Sequence, residues 1–88
     1  GGGIYCKNSN INLEHVTITS NLASSGGGGI LCANSSLNLL NCILWNDSPY
    51  EVNFSAGDPN SITIAYSDIQ GGESGIVTTN NGTINWLD

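Results

Sequence analysis

The sequence predicts an all-β solenoid of roughly three to four turns, with three short strands in each turn. One observation is an internal repeat: residues 1–21 return as residues 27–47, and nine of the paired positions are identical. A second observation is that apolar and polar residues alternate with a period of two, which is typical of strands. A fixed repeat of this size indicates stacked units that bury their apolar faces only against one another.

The strands of the first two turns follow from pairs of apolar residues that are separated by Gly, Asn or Ser. Apolar residues match apolar residues between the repeats, as Ile11 matches Leu37 and Ile18 matches Leu44. Because stacked strands bring equivalent residues into contact, this matching predicts a common core. We expect the inward pairs to be Ile4 and Cys6, Ile11 and Leu13, and Val16 and Ile18, then Ile30 and Cys32, Leu37 and Leu39, and Cys42 and Leu44.

The corners between the strands carry residues that favour turns. Asn8-Ser9 recurs as Asn34-Ser35, and Asn tolerates the left-handed conformation found in tight turns. We expect the Asn side chains of successive turns to hydrogen-bond to one another in a ladder. The glycine runs at 1–3 and 26–29 are predicted to form the long bend that starts each turn.

The third turn is predicted to be irregular, because residues 47–60 contain both prolines. We expect Val52 and Phe54 to form its first strand. The repeat then returns at an offset of 25, and a partial fourth turn has the apolar residues Ile76, Val77, Ile84 and Trp86. The predicted turns are therefore 1–26, 27–51, 52–75 and 76–88, within one segment, 1–88, that we expect to belong to a longer chain.

Charge and composition exclude several kinds of partner. The chain has one Lys, no Arg and a net charge of −6, so it lacks the basic cluster that nucleic acids require. It has no run of about 20 apolar residues, so we expect no membrane insertion. Three cysteines are an odd number, which argues against a self-contained disulfide framework. We expect Cys6, Cys32 and Cys42 to be reduced core residues, with a Cys6–Cys32 disulfide as the alternative.

Two phrases of the sequence resemble those of known repeat proteins. Residues 41–46, Asn-Cys-Ile-Leu-Trp-Asn, and residues 66–72, Tyr-Ser-Asp-Ile-Gln-Gly-Gly, look like repeats of secreted bacterial β-helix proteins. The Gly-Gly-Gly-Ile starts, combined with Leu44-Trp45-Asn46, are similar to polymorphic outer-membrane passenger repeats. The resemblance implies a right-handed parallel β-helix of the pectate-lyase-like superfamily, on the outer cell surface or secreted. Because this fold hosts lyases, hydrolases and adhesins, the resemblance implies no single activity.

Residues that could support catalysis are sparse. Pectate-lyase-like sites use a basic residue, often Arg, beside acid-bound calcium, but the chain offers only Lys7. Glycoside hydrolysis needs two carboxylates at a defined separation, and Asp58, Asp68 and Glu73 are the only loosely grouped acids. We predict no catalytic residue, cofactor or metal site in this segment, and leave open calcium binding by those three acids. His15 is expected to be an exposed corner residue.

Trp45 is the most informative outward side chain. Its parity is opposite to that of Leu44, so Trp45 and Ile43 should point outward and form an exposed apolar patch. We expect residues 47–60 to fold over this patch. The alternative is a binding site for a polysaccharide or a cell-surface glycan, formed by Trp45, Tyr50, Asp58 and Asp68.

These observations predict a non-catalytic, extracellular β-helix module with a structural or adhesin-like role in a secreted or surface bacterial protein. Its expected partners are neighbouring β-helix turns of the parent chain and, at the outer face, a polysaccharide or host glycan. The alternative is a segment of a carbohydrate-active lyase or hydrolase, or of a glycan-binding β-helix protein. An open groove flanked by aromatic and acidic residues would favour the alternative, and a covered Trp45 would favour the structural role.

Overall fold

The computed structural model describes residues 2–55, 59–78 and 82–87, and it confirms the predicted all-β solenoid. Short strands follow one another around a coil of about three turns, and the paired strands are parallel. The described residues contain no α-helix and one short 3₁₀ helix, Gly72–Gly75. Parallel strands from successive turns satisfy each other's backbone groups, so short strands can build extended sheets.

The strands stack into three sheets, one for each side of the coil. Numbered along the chain, the first sheet contains β1 (Ile4–Lys7), β4 (Leu22–Ala33), β7 (Ser48–Phe54) and β10 (Ile76–Val77). The second sheet contains β2 (Asn10–Glu14), β5 (Ser36–Leu40), β8 (Asn60–Ala65) and β11 (Gly82–Trp86). The third sheet contains β3 (Thr17–Thr19), β6 (Ile43–Trp45) and β9 (Asp68–Ile69). Within each sheet the strands lie in chain order, so each turn stacks on the turn before it.

Equivalent residues of successive turns are paired in register. In the first sheet Ile4 pairs with Ile30, and in the second sheet Leu13 pairs with Leu39, which in turn pairs with Ile64. The inward positions therefore form apolar stacks that meet in one core cluster. All the predicted inward residues of the second turn are buried in this cluster: Ile30, Cys32, Leu37, Leu39, Cys42 and Leu44.

Burial decreases from the middle of the coil toward its ends. Leu39 in the second turn is 2% exposed, whereas its register partner Leu13 in the first turn is only partly buried. The other partly buried apolar residues that pack against the core are Ile4, Ile11, Val16, Ile84 and Trp86. A residue in a middle turn has neighbours above and below it, and a residue at an end has them on one side only.

Each described corner of the coil contains at least one residue in the left-handed conformation, and the last one contains both Gly71 and Gly72. At the corner between the second and third sheets, which we call the second corner, the φ angles of His15, Asn41 and Tyr66 are 56°, 55° and 51°. The first corner, between the first and second sheets, has Asn8 and Asn34, and the third corner has Ser20, Asn46 and Gly71. Gly adopts this conformation readily, Asn and His adopt it more often than other residues, and Tyr adopts it at a cost.

Backbone N–H groups at the corners are bound by side chains of the next turn. At the first corner, the Ser9 N–H donates to Ser35 Oγ at 3.2 Å, and the Ser35 N–H donates to Asn60 Oδ1 at 2.9 Å. At the second corner, the Cys42 N–H donates to Ser67 Oγ at 2.9 Å. These side chains replace the strand-to-strand bonds that a bend in the backbone interrupts.

The predicted ladder of Asn side chains is confirmed. Asn34 Nδ2 donates to Asn8 Oδ1 at 2.8 Å at the first corner. A second rung lies on the outward face of the second sheet, where Asn38 Nδ2 donates to Asn12 Oδ1 at 2.8 Å. Identical residues at the repeat distance therefore bond to each other as well as stack.

The glycine run at 26–29 differs from its prediction. The sequence predicts a bend, but the structure places this run inside β4, a strand of 12 residues whose register against β7 shifts twice. Part of the run is glycine because the backbone of β7 passes close to it: a Cβ atom on Gly28 would lie 2.1 Å from the carbonyl oxygen of Ser48. Close approach of β7 requires glycine at 28 and 29, whereas Gly26, with φ of 80°, and Gly27, which lies against the carbonyl oxygen of Ile30, keep a local bend within the strand.

The first strand of the third turn begins earlier than predicted. It starts at Ser48, which pairs with Leu22, and it includes Pro49. A proline lacks the N–H group of a regular ladder, and Pro49 lies in the part of the strand where the register is shifted. Val52 and Phe54 are buried as predicted. The predicted inward residues of this strand are therefore correct, although its predicted start is not.

The three cysteines are free and buried, as predicted. Cys6 and Cys32 are register partners in the first sheet, but they do not form the alternative disulfide. Burial raises the pKa of the Cys32 thiol to about 12, and the neighbouring Cys6 adds to this shift. The thiol therefore stays protonated at neutral pH and serves as a small apolar group in the stack.

Candidate functional site

The outer face of the third sheet carries two of the predicted ligand-binding residues. Trp45 points outward, opposite to the buried Leu44, and 43% of its surface is exposed. Ile43, on the same face, pairs in register with the exposed Asp68 of β9. Strand spacing and rise place the Cα atoms of Trp45 and Asp68 roughly 8 Å apart along the diagonal. The structure therefore brings Trp45 and Asp68 to one face.

Tyr50, a third predicted residue, lies around the third corner in a separate groove. This third-corner groove has a volume of about 300 Å³ and lies between the start of β7 and the 3₁₀ helix. Tyr50 is half-exposed, and neither Trp45 nor Asp68 lines the groove. The lining residues are Asp47, Pro49, Tyr50, Glu51, Gln70, Gly71, Ser74 and Gly75.

The described part of segment 47–60 leaves Trp45 43% exposed, against the predicted cover. Phe54, one of the two aromatic residues of that segment, is 1% exposed and belongs to the core. Tyr50 lines the third-corner groove. The reason is that β7 continues the first sheet from Ser48 onward, so this segment follows the coil.

Asp58, the fourth predicted ligand-binding residue, lies outside the described residues. The two other acids of the calcium prediction, Asp68 and Glu73, are exposed. Within residues 2–55, 59–78 and 82–87, no group of three or more His, Cys, Asp and Glu side chains could hold a metal ion. Calcium binding that includes Asp58 stays a prediction.

Two acids that the sequence does not single out, Asp47 and Glu51, form a buried pair at the third corner. They are 6% and 3% exposed, respectively. Asp47 Oδ1 accepts hydrogen bonds from both the N–H and the Nδ2 group of Asn21, each at 2.9 Å. Glu51 Oε2 accepts a hydrogen bond from the Asp47 N–H at 3.0 Å. One oxygen of each carboxyl group is thus fixed by donors from the coil.

The other oxygen of each acid has no donor. Asp47 Oδ2 and Glu51 Oε1 are buried, and neither receives a hydrogen bond from the described residues. A Cβ atom on Gly29 would lie only 3.2 Å from Asp47 Oδ2, so this oxygen lies against the glycine run. Buried oxygens without a partner are rare and costly, so these two need a physical explanation.

Burial raises the pKa of the Glu51 carboxyl group from 4.5 to about 7. Burial is the largest cause of this rise, the adjacent Asp47 side chain and its charge contribute to it, and the backbone hydrogen bond from the Asp47 N–H acts in the opposite direction. Two neighbouring buried carboxylates cannot both ionise without a large electrostatic cost. The structure therefore favours one proton on the pair in mildly acidic solution.

The 3₁₀ helix packs against the acid pair. Gly75 lies beside Glu51: a Cβ atom there would be 3.5 Å from Glu51 Cγ and 2.2 Å from the carbonyl oxygen of Gln70. The side chain of Gln70 bonds the same corner, since its Oε1 accepts from the Asn46 N–H at 2.7 Å. The absence of a side chain on Gly75 thus allows the chain to pack closely against Glu51.

Sequence reasoning missed this pair for a physical reason. Glu51 has the outward parity of β7, next to the inward Val52, and an outward acid is ordinarily solvated. Its burial comes from the 3₁₀ helix about 20 residues later, and no period-two pattern contains that contact. One signal was available: Asp47 replaces Asn21 at the repeat distance, so a charge occupies a position where the first repeat has an amide.

A larger groove, of about 460 Å³, follows the first corner across the turns. Most of its described lining is Asn and Ser, and none of the lining residues that the structure describes is charged. Asn34 bonds Asn8 as described above, and Ser61 Oγ lies 3.1 Å from Ser36 Oγ. Its polar groups are therefore largely engaged in bonds between turns.

The described residues include no helix with the length and apolar character needed to cross a membrane. Comparison of the chain with protein-family models, curated proteins and solved structures finds no match. The assignment to a parallel β-solenoid therefore depends on the strand pairing itself, and the likeness to secreted bacterial β-helix repeats depends on the sequence phrases alone.

Proposed function

We propose that this chain is a non-catalytic structural module, with a spacer or adhesin-like role, of a secreted or cell-surface bacterial protein. The observation that carries the proposal is the bonding of polar corner side chains. Ser35, Asn60, Ser67 and Gln70 bind backbone groups of the preceding turn, so groups that could bind a ligand stabilise the coil. The apolar core connects the turns in the same direction. Such a coil suits the presentation of an outer face at a fixed distance.

The proposed partners at the two ends of the coil are neighbouring solenoid turns of the parent protein. The first turn offers the partly buried Ile11 and Leu13, and β11 offers Ile84 and Trp86. Apolar side chains that are covered on one side gain stability when a further turn covers the other. A stacked turn would also pair the free backbone groups of the outer strands.

A direct test asks whether the protein modifies polysaccharides. The chain is incubated with neutral and acidic polysaccharides, and new reducing ends and unsaturated products are measured. We expect neither product above the background of heat-unfolded protein. Product formation that follows the protein concentration would overturn the non-catalytic proposal. Adhesion is tested separately by coating beads with the chain and counting the cells they retain, with uncoated beads as the control.

Glycan binding at the third-sheet face is the second candidate function, and the exposure of Trp45 favours it. Trp45 and Ile43 are 43% and 45% exposed and adjoin Asp68, and an indole face of this kind can stack on a sugar ring. We expect a binding glycan to change the fluorescence of Trp45 saturably. Trp86 contributes background, so the readout is the difference from Trp45→Ala.

The matched control for this titration is Tyr5→Ala, because Tyr5 is an exposed aromatic residue of the first sheet. Loss of the signal in Trp45→Ala together with its retention in Tyr5→Ala would support a glycan site on the third sheet. An unchanged spectrum across the polysaccharide panel would remove this second candidate and leave the structural role.

A further inference from the structure

We propose that Asp47 and Glu51 share one proton between their free oxygens, and that this proton makes the third corner a pH-dependent clasp between successive turns. The clasp joins three parts of the chain: Asn21 at the end of the first turn, Asp47 at the end of the second, and Glu51 in the first strand of the third. Removal of the proton would leave two negative charges in a closed site and loosen this corner.

The hydrogen-bond partners of the four carboxyl oxygens support the shared proton. Asp47 Oδ1 and Glu51 Oε2 each have N–H donors, whereas Asp47 Oδ2 and Glu51 Oε1 have none. The two side chains lie close enough to form a hydrogen bond with each other. Two carboxylates have no donor between them, so that bond exists only when one of them carries a proton. A single proton therefore satisfies both free oxygens.

Among the side chains that the structure describes, no cation lies at this corner to take the place of the proton. Lys7, the one Lys, ends β1 beside the first corner, and His15 lies at the second corner. On the side of β4, the residue that lies against the acid pair is Gly29, which has no titratable group. Of the titratable groups on the other neighbouring elements, Tyr50 is half-exposed, and Asp68 of β9 and Glu73 of the 3₁₀ helix are exposed.

A metal ion fits the site less well than a proton. Hard divalent cations need six or more oxygen ligands, and with few protein ligands they keep several waters. The two free oxygens are closed to solvent, so a hydrated ion could not reach them unless the 3₁₀ helix moved. A proton needs no such space.

The sign of the pH dependence follows from proton linkage. The folded pKa of Glu51, about 7, lies above its ordinary value of 4.5, so the folded protein binds the proton more tightly than the unfolded chain does. This contribution to stability is complete below pH 4.5, is lost as the pH rises from 4.5 through 7, and is absent above that range. Within this range, one shared proton changes the unfolding equilibrium constant by up to about tenfold per pH unit.

Two nearly isosteric variants test the clasp. In Glu51→Gln, the amide can donate to Asp47 Oδ2 at every pH while its oxygen still accepts from the Asp47 N–H. In Asp47→Asn, Oδ1 keeps its bonds from Asn21 and the neighbouring negative charge is removed. Urea unfolding is measured for each protein from pH 4 to 8.5. We expect the unfolding constant of the wild type, relative to Glu51→Gln, to rise between pH 4.5 and 7 and then level off.

The titration of Glu51 is read directly from the NMR shift of its side-chain carboxyl carbon. We expect a midpoint near 7 in the wild type and a lower midpoint in Asp47→Asn. A wild-type midpoint near 4.5, or parallel stability profiles for the wild type and Glu51→Gln, would overturn the proposal. A saturable rise in melting temperature with calcium or magnesium at pH 8, absent from Glu51→Gln, would also overturn it, because a metal ion would then bridge the oxygens.

Discussion

At the scale of single residues, the regularity of the coil depends on backbone conformation at its corners. Three non-equivalent corners each place at least one residue at positive φ, and the second corner does so with His15, Asn41 and Tyr66. Asn at these positions was predictable because its left-handed tendency is well known. His15 and Tyr66 did not by themselves indicate a corner, although His, unlike Tyr, is enriched at positive φ. The architecture of the coil imposes the conformation on them.

His15 offers a test of this imposed conformation. We expect His15→Gly to stabilise the fold by about 0.5–1 kcal/mol, because relief of left-handed strain exceeds the entropy that glycine loses. We expect His15→Val to destabilise it by about 1 kcal/mol or more, because a β-branched residue strongly disfavours positive φ. Chemical denaturation of the two variants measures both effects. Equal stabilities for Gly and Val would contradict a left-handed corner.

At the scale of elements, the side-chain bonds at the corners explain how short strands stay in register. The polar corner residues Ser35, Asn60 and Ser67 accept N–H groups that the sheets leave unpaired. A slip by one residue would break these bonds and also turn the inward stack outward. Corner bonds and core stacks therefore specify the same alignment.

Ser35→Ala tests the contribution of one corner bond. The change removes the acceptor of the Ser9 N–H and the hydroxyl group that donates to the Ala33 carbonyl oxygen at 2.9 Å. Ser35 is buried, so we expect a loss of about 1–3 kcal/mol in the free energy of unfolding. Ser24→Ala, at an exposed position of β4, is the control and should change stability by less than about 0.5 kcal/mol. Similar losses in both variants would show that the corner bond contributes little.

The strands whose bounds were predicted less well are β4 and β7, where close backbone contact between the two strands, and not side-chain polarity, determines the structure. Period-two alternation locates Leu37 and Leu39 correctly, because their environment depends on side-chain polarity. The same pattern contains no information about Gly28, whose role depends on the position of Ser48 in the next turn. The start of β7 was missed for the same reason, since its first residues pair with β4 and contribute no inward apolar side chain.

At the scale of the whole molecule, stability depends on position along the coil axis. Leu13 and Leu39 are chemically identical register partners, but only Leu39 has a turn on both sides. The sequence predicts both as inward residues but does not rank them by burial, because burial also depends on whether a turn is stacked on each side. The candidate site shows the same limit: the outward direction of Trp45 follows from parity, and the burial of Glu51 does not.

Paired truncations measure this dependence. We expect Leu39→Ala to cost roughly 2–5 kcal/mol, which is the range for a leucine in a closed core. We expect Leu13→Ala to cost less than half as much, because water already reaches part of that side chain. Urea unfolding measures the loss of unfolding free energy in each variant, with one common dependence of that free energy on urea concentration used for both. Equal costs would show that the first turn is packed as tightly as the second.

The Asn34–Asn8 side-chain bond has its donor in the later turn. The corner bonds from backbone N–H groups to side chains about one repeat away all run in the other direction. The N–H donor belongs to the earlier turn and the side-chain acceptor to the later one, 24 to 26 residues further along the chain. During synthesis, each turn would emerge with unmatched donors and would be completed only when its successor arrives. If folding proceeds from the amino end, each turn therefore forms its last hydrogen bonds only when the next turn folds. The most recently folded turn would then always be the least stable one.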